Sequence, residues 1–150
     1  QGLLGDPDNT ERTLTMMCLA LLIGGPDQRD NSVMRVKDQD LQELTLVVDC
    51  CKHAEPWRGH AVSFIKSVHA TYNLVLIDRN KSAFIRNGMI PFIIHMLHVP
   101  EIEVANLATN TLLELSFGIQ ARWILRPVLL IWHRHVATEK DARRKKSEPK

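Results

Sequence analysis

Residues 80 to 118, NKSAFIRNGMIPFIIHMLHVPEIEVANLATNTLLELSFG, gather their apolar residues into three bursts. The bursts are interrupted at Asn87-Gly88 and again at Val99-Pro100. The interruptions fix what the segment can become. Gly88 suits the left-handed residue that closes a helix, so NKSAFIRN is expected to be a short helix. Pro91 falls in the first turn of the next, MIPFIIHMLH, where its missing N–H leaves no bond unmade. Pro100 ends that helix, and Glu101 and Glu103 open a third that runs to Phe117, placing acids at the positive end of its dipole. None of three such short helices can cover its own apolar face, so the unit needs similar neighbours to stack against.

The rest of the chain supplies them. NTERTLTMMCLALLIG, from about Asn9, reads as a helix capped by Asn9 or Thr10 and stopped by Gly24-Gly25. A polar loop of about a dozen residues follows, GPDQRDNSVMRVKD, long enough to be mobile or useful. Asp40 is placed to cap LQELTLVVDCCKHA, which Glu55-Pro56 ends. Residues 60 to 78 carry Phe64, Ile65, Val68, Tyr72, Val75 and Leu76 at helical spacing. Pro127 starts a last helix that leads into a charged terminus. No stretch alternates with period two for the length of a strand. Aliphatic side chains are plentiful and aromatic ones only 5%, a balance that favours helix because unbranched aliphatics lose little rotamer freedom there. The expectation is an all-α protein, and 150 residues suffice for one domain.

The third-helix pattern repeats. ATNTLLEL, near the end of the quoted segment, has a counterpart 41 residues earlier in SVHATYNL, Ser67 to Leu74, and a weaker one a further 52 residues back in TMMCLALL, Thr15 to Leu22, the polar loop after Pro26 absorbing the excess. A period near 40 residues is that of helical solenoids. The segment 80–118 resembles an armadillo repeat: Asn80 at its start, Gly88-Met89-Ile90-Pro91 at the sharp turn, EIEV opening the third helix. The family's third helix typically ends A-x-x-A-L-x-N-L. Ala108, Leu112 and Leu115 match, with Thr111 at an Ala position and Glu114 at the Asn position. In the earlier repeat Ala70, Asn73 and Leu74 match, with Thr71 at a Leu position. The resemblance covers most of residues 9 to 118, and a HEAT-like stack obeys the same burial logic. It implies an armadillo-like right-handed superhelix of about three short repeats with a C-terminal capping helix. The corresponding domain is 9–136, preceded by a loose terminus at 1–8 and followed by a basic, partly disordered tail at 137–150.

The same resemblance implies a function. Third helices of armadillo proteins line a concave groove, and the Asn of the pattern clamps the backbone of an extended peptide. An amide suits that task because it donates and accepts at once. The implied groove residues are His69 and Asn73 in one repeat and Asn110 and Glu114 in the next. Glu114 accepts without donating, and the Trp that import receptors of this family place one turn before the Asn is replaced by His69 and Asn110. A nuclear-import groove is therefore not expected. Trp123 and Trp132, flanking the apolar WILRPVLLIW, form a second candidate docking surface.

Other chemistry has little to stand on. Cys50, Cys51 and His53 lie close together in CCKH, but adjacent cysteines on a helix diverge by about 100°, whereas zinc needs converging ligands. No nucleophile elbow, phosphate loop or dinucleotide fingerprint is present, so neither an enzyme nor a cofactor or metal site is expected. Three cysteines, two of them adjacent, make no disulfide framework and suit an intracellular, cytoplasmic or nuclear setting. MMCLALLI lacks the basic lead of a signal peptide and the length of a membrane span. Residues 134–150 hold seven Lys or Arg against three acids, while the remaining residues hold twelve against fourteen. The cluster Arg143, Arg144, Lys145 and Lys146 therefore carries the alternative function, binding of nucleic acid or an acidic surface through the tail. The leading expectation is a non-catalytic scaffold, or a subunit of a larger assembly, that holds a protein or extended peptide.

Overall fold

The structure, a computed structural model, describes residues 9–23 and 34–117. Those residues form six helices: α1 (Asn9–Ile23), α2 (Asp38–Lys52), α3 (Phe64–Leu76), α4 (Asp78–Arg86), α5 (Met89–Met96) and α6 (Ile102–Ser116). No strand occurs among the described residues, and the all-α expectation holds for them.

The helix α3 is the organising element, packed against α1, α2 and α4. Val68, Ala70, Leu74 and Val75 of α3 are buried, together with Leu41, Leu44, Val47 and Val48 of α2. Phe84, Ile93, Val104 and Leu115 extend this core through α4, α5 and α6. Each buried Val, Leu, Ile or Phe side chain contributes about 1.5–3 kcal/mol on leaving water, which is why helices this short persist.

The joints follow from local backbone chemistry. Between α4 and α5, Gly88 sits at φ 69 and the Asn87 N–H donates to the Ala83 carbonyl at 3.0 Å. Pro91 lies in the first turn of α5, as its spacing predicts. The helix α2 begins three residues before the expected Leu41. Asp40 is not its cap but a residue of its first turn, reaching back to accept the Lys37 N–H at 2.7 Å. Its other end closes through Glu55 N–H to Cys50 O (2.9 Å) and Ala54 N–H to Cys51 O (3.1 Å), with Ala54 at φ 56. This is the bonding of a Schellman motif with alanine where glycine is usual.

The helix α3 starts at Phe64, four residues later than expected, because residues 57–60 make a tight reversal. Trp57 and His60 exchange backbone bonds of 3.0 and 2.8 Å, and Arg58 and Gly59 between them both have positive φ. That is a type I′ turn. Burial of the Trp57 ring holds it in place. The segment before α2 is also pinned: Met34 and Val36 are both buried although the chain is extended at Lys37.

Candidate functional site

The four expected groove residues divide into two kinds, and the division is the same on α3 and on α6. His69 on α3 and Asn110 on α6 are exposed. The His69 ring lies 6.5 Å from that of Tyr72. One helical turn further on, Asn73 and Glu114 engage the chain itself. Asn73 is 7% exposed and its Nδ2 donates to the Ala20 carbonyl of α1 at 2.9 Å. Glu114 accepts from Lys81 Nζ of α4 at 3.1 Å. Lys81, only 6% exposed, also reaches Asp78 at 2.7 Å, so its buried ammonium sits between two carboxylates. Residues four apart on a helix are offset by about 40° around its axis. The later of each pair therefore leans into the packing while the earlier one faces outward.

The amide that clamps a backbone segment in this structure is a different one. Asn80 is completely buried. Its Oδ1 accepts the Val36 N–H at 3.0 Å, and its Nδ2 donates to the Met34 carbonyl at 2.9 Å and the Leu74 carbonyl at 3.0 Å. Both ends of the amide are used on alternate residues of the 34–36 segment, which ties that segment to the end of α3. The sequence marked Asn80 only as the start of a repeat.

Charge is arranged around the same elements. Arg12 of α1 makes a two-point ion pair with Asp40 of α2, with Nη2 at 2.9 Å from Oδ2. Burial disfavours the Asp40 carboxylate, but the Arg12 guanidinium and the Lys37 N–H outweigh it and hold its pKa below the ordinary value. The hydrogen bond to Asp40 correspondingly raises the pKa of Arg12. Arg58, at the tip of the tight turn and 5.2 Å from the Trp57 ring centroid, bonds Glu43 of α2 at 2.7 Å and Thr10 of α1 at 3.0 Å. Oε2 of Glu43 is buried without a hydrogen-bond partner. Asp38 accepts from Asn87 at 2.8 Å and from Arg86 at 3.0 Å, which lowers its pKa.

Cys51 is buried, which raises its thiol pKa despite a hydrogen bond with Ser67. Cys50 is half-buried, and His53 is exposed with Asp49 3.9 Å away. No group of three or more His, Cys, Asp or Glu able to hold a metal occurs among the described residues. Among those residues no helix is long and apolar enough to cross a membrane. Trp123, Trp132 and Arg143 to Lys146 lie outside the described residues. No family model, no curated protein and no solved structure matches this chain.

Proposed function

We propose that the protein is a non-catalytic, armadillo-like scaffold that holds an extended segment of a protein partner against the outward faces of α3 and α6. The observation that carries this reading is the shared division of polar residues on the two helices. On each, one residue is tied inward, Asn73 to α1 and Glu114 to α4, and its neighbour one turn earlier is presented to solvent. An offset of 41 residues relates the two pairs, so the exposed His69 and Asn110 occupy equivalent places in successive repeats. The packing of α1 on α3 supports repeat stacking, because the armadillo resemblance gives both helices the third-helix position of a repeat.

The partner chemistry follows from the exposed groups. Asn110 offers a donor and an acceptor, His69 offers a ring nitrogen of each kind when neutral, and exposed Asn106 adds a second amide one turn before Asn110. Such groups suit the alternating N–H and C=O of an extended peptide. The inward residues then serve as ties that hold α3 to α1 and α6 to α4.

The test is retention of binding partners by the full chain at 0.3 M salt, compared with His69→Ala/Asn110→Ala and with a chain ending at Val136. Partners kept by the shortened chain and lost by the double variant support the scaffold. Partners lost with the tail, and unaffected by the double substitution, would place binding on Arg143 to Lys146 and defeat the proposal.

A further inference from the structure

The Asn87-Gly88 pair joins the end of α4 to the start of α5, and it is also a sequence in which an asparagine amide can be lost. Gly88 has no side chain to hinder attack by its own backbone nitrogen on Cγ of Asn87. In that reaction the Gly88 N–Cγ bond forms and the Cγ–Nδ2 bond breaks. Ammonia leaves with the proton from the Gly88 amide, and a five-membered imide remains. Water then opens the imide at one carbonyl to give aspartate, or at the other to give isoaspartate, whose backbone runs through the side-chain carbon.

The native geometry opposes formation of the imide. Asn87 has ψ 10, which turns the Gly88 nitrogen away from the Asn87 side chain, whereas ring closure needs the two on the same side of the Cα–C bond. The Gly88 N–H is occupied, donating to Ile85 O at 3.2 Å. Both hydrogens of the departing amide are also engaged: Nδ2 donates to Asp38 Oδ1 at 2.8 Å and to the Ala83 carbonyl at 2.9 Å. The protection is local, however. Asn87 is only half-buried, Gly88 and Asp38 are exposed, and helix ends open far more often than cores.

We propose that Asn87 is a deamidation site whose rate is set by opening of the tie between Asp38 of α2 and the end of α4, and whose product prevents the tie from re-forming. Aspartate at 87 sets a second carboxylate against Asp38 where a donor had been. Arg86, the other partner of Asp38, then has two acids to serve. Isoaspartate also lengthens the backbone next to Gly88, whose φ of 69 fixes the α4–α5 corner. The modification thus makes the loss of the Asn87 bond between α4 and α2 permanent.

The experiment incubates the full chain in mildly alkaline buffer and scores aspartate and isoaspartate at residue 87 by peptide mass spectrometry over time. Three samples are run: the native chain, the chain unfolded in urea, and native Asp38→Ala. The unfolded chain is expected to react more than tenfold faster than the native one, and Asp38→Ala severalfold faster than native. In sub-denaturing urea the native rate should rise in parallel with deuterium exchange at the Gly88 amide, a measurement that needs no variant. Equal rates in native and unfolded chains, or a native rate indifferent to both Asp38→Ala and sub-denaturing urea, would overturn the proposal.

Discussion

Removing the Asn80 side chain is the most severe single test of how this fold is held. In Asn80→Ala the Val36 N–H and the Met34 and Leu74 carbonyls all lose a partner in one fully buried place. A buried polar group left unpaired costs about 1–3 kcal/mol, less for a carbonyl than for an N–H. Taking about 1 kcal/mol for each of the three gives roughly 3 kcal/mol, before any term for the small cavity. Against total stabilities of about 5–15 kcal/mol, that is a large fraction. With a urea slope of about 1.5 kcal/mol/M it moves the unfolding midpoint down by about 2 M. Far-UV circular dichroism in a urea series measures this directly. Asn80→Asp discriminates further, since it keeps the acceptor for Val36 N–H but turns an acceptor toward the two carbonyls. It should be no more stable than the alanine variant. A midpoint shift below about 0.5 M for Asn80→Ala would refute the reasoning, because it would mean that residues 34–36 are not held by this amide.

Four further expectations concern the ties around it. Ala54→Gly should stabilise the protein by about 0.5–1 kcal/mol in the same urea assay, because φ 56 strains alanine by more than glycine loses in chain entropy. Asp40 has a folded pKa below its ordinary value of 3.8, so its contribution to stability is fully present above that pH and is lost as the pH falls through the depressed value; Asp40→Asn should remove this part of the acid dependence from the unfolding midpoint. Asn73→Ala should lower stability by about 1–3 kcal/mol by leaving the Ala20 carbonyl unpaired, whereas Asn110→Ala, on an exposed residue, should stay within about 0.5 kcal/mol. A thiol reagent at neutral pH should label exposed Cys18 well before Cys51, whose thiol is buried and raised in pKa; equal labelling by mass spectrometry would contradict the packing of α2.

What the sequence announced and what it concealed differ in range. The α4–α5–α6 segment was legible because Gly88, Pro91 and Pro100 act through their own backbones: a positive φ, a missing N–H, an excluded helical conformation. The start of α1 was read less well: Asn9 and Thr10, expected to cap the helix, lie within it. The turn at Trp57–His60 was not legible, since Arg58 is no usual resident of a positive-φ position. It is kept there by Trp57 burial and by Glu43 and Thr10, 15 and 48 residues away. The roles of the candidate site residues were hidden for the same reason. Asn73 and Glu114 find their partners 53 and 33 residues away, and Asn80 finds two of its three 44 and 46 residues away. A repeat pattern names such positions without saying which way each side chain is spent.

The bond from Asn73 to Ala20 has a consequence for the order in which a ribosome makes this chain. The apolar run of α1, from Met16 to Ile23, emerges before α3, and the Asn73 that binds its Ala20 carbonyl is synthesised 53 residues later. At roughly 5–20 residues per second, α1 spends several seconds outside the exit tunnel before α3 exists to cover Met16, Met17 and Ala20. During that interval it is the natural target for a holding chaperone.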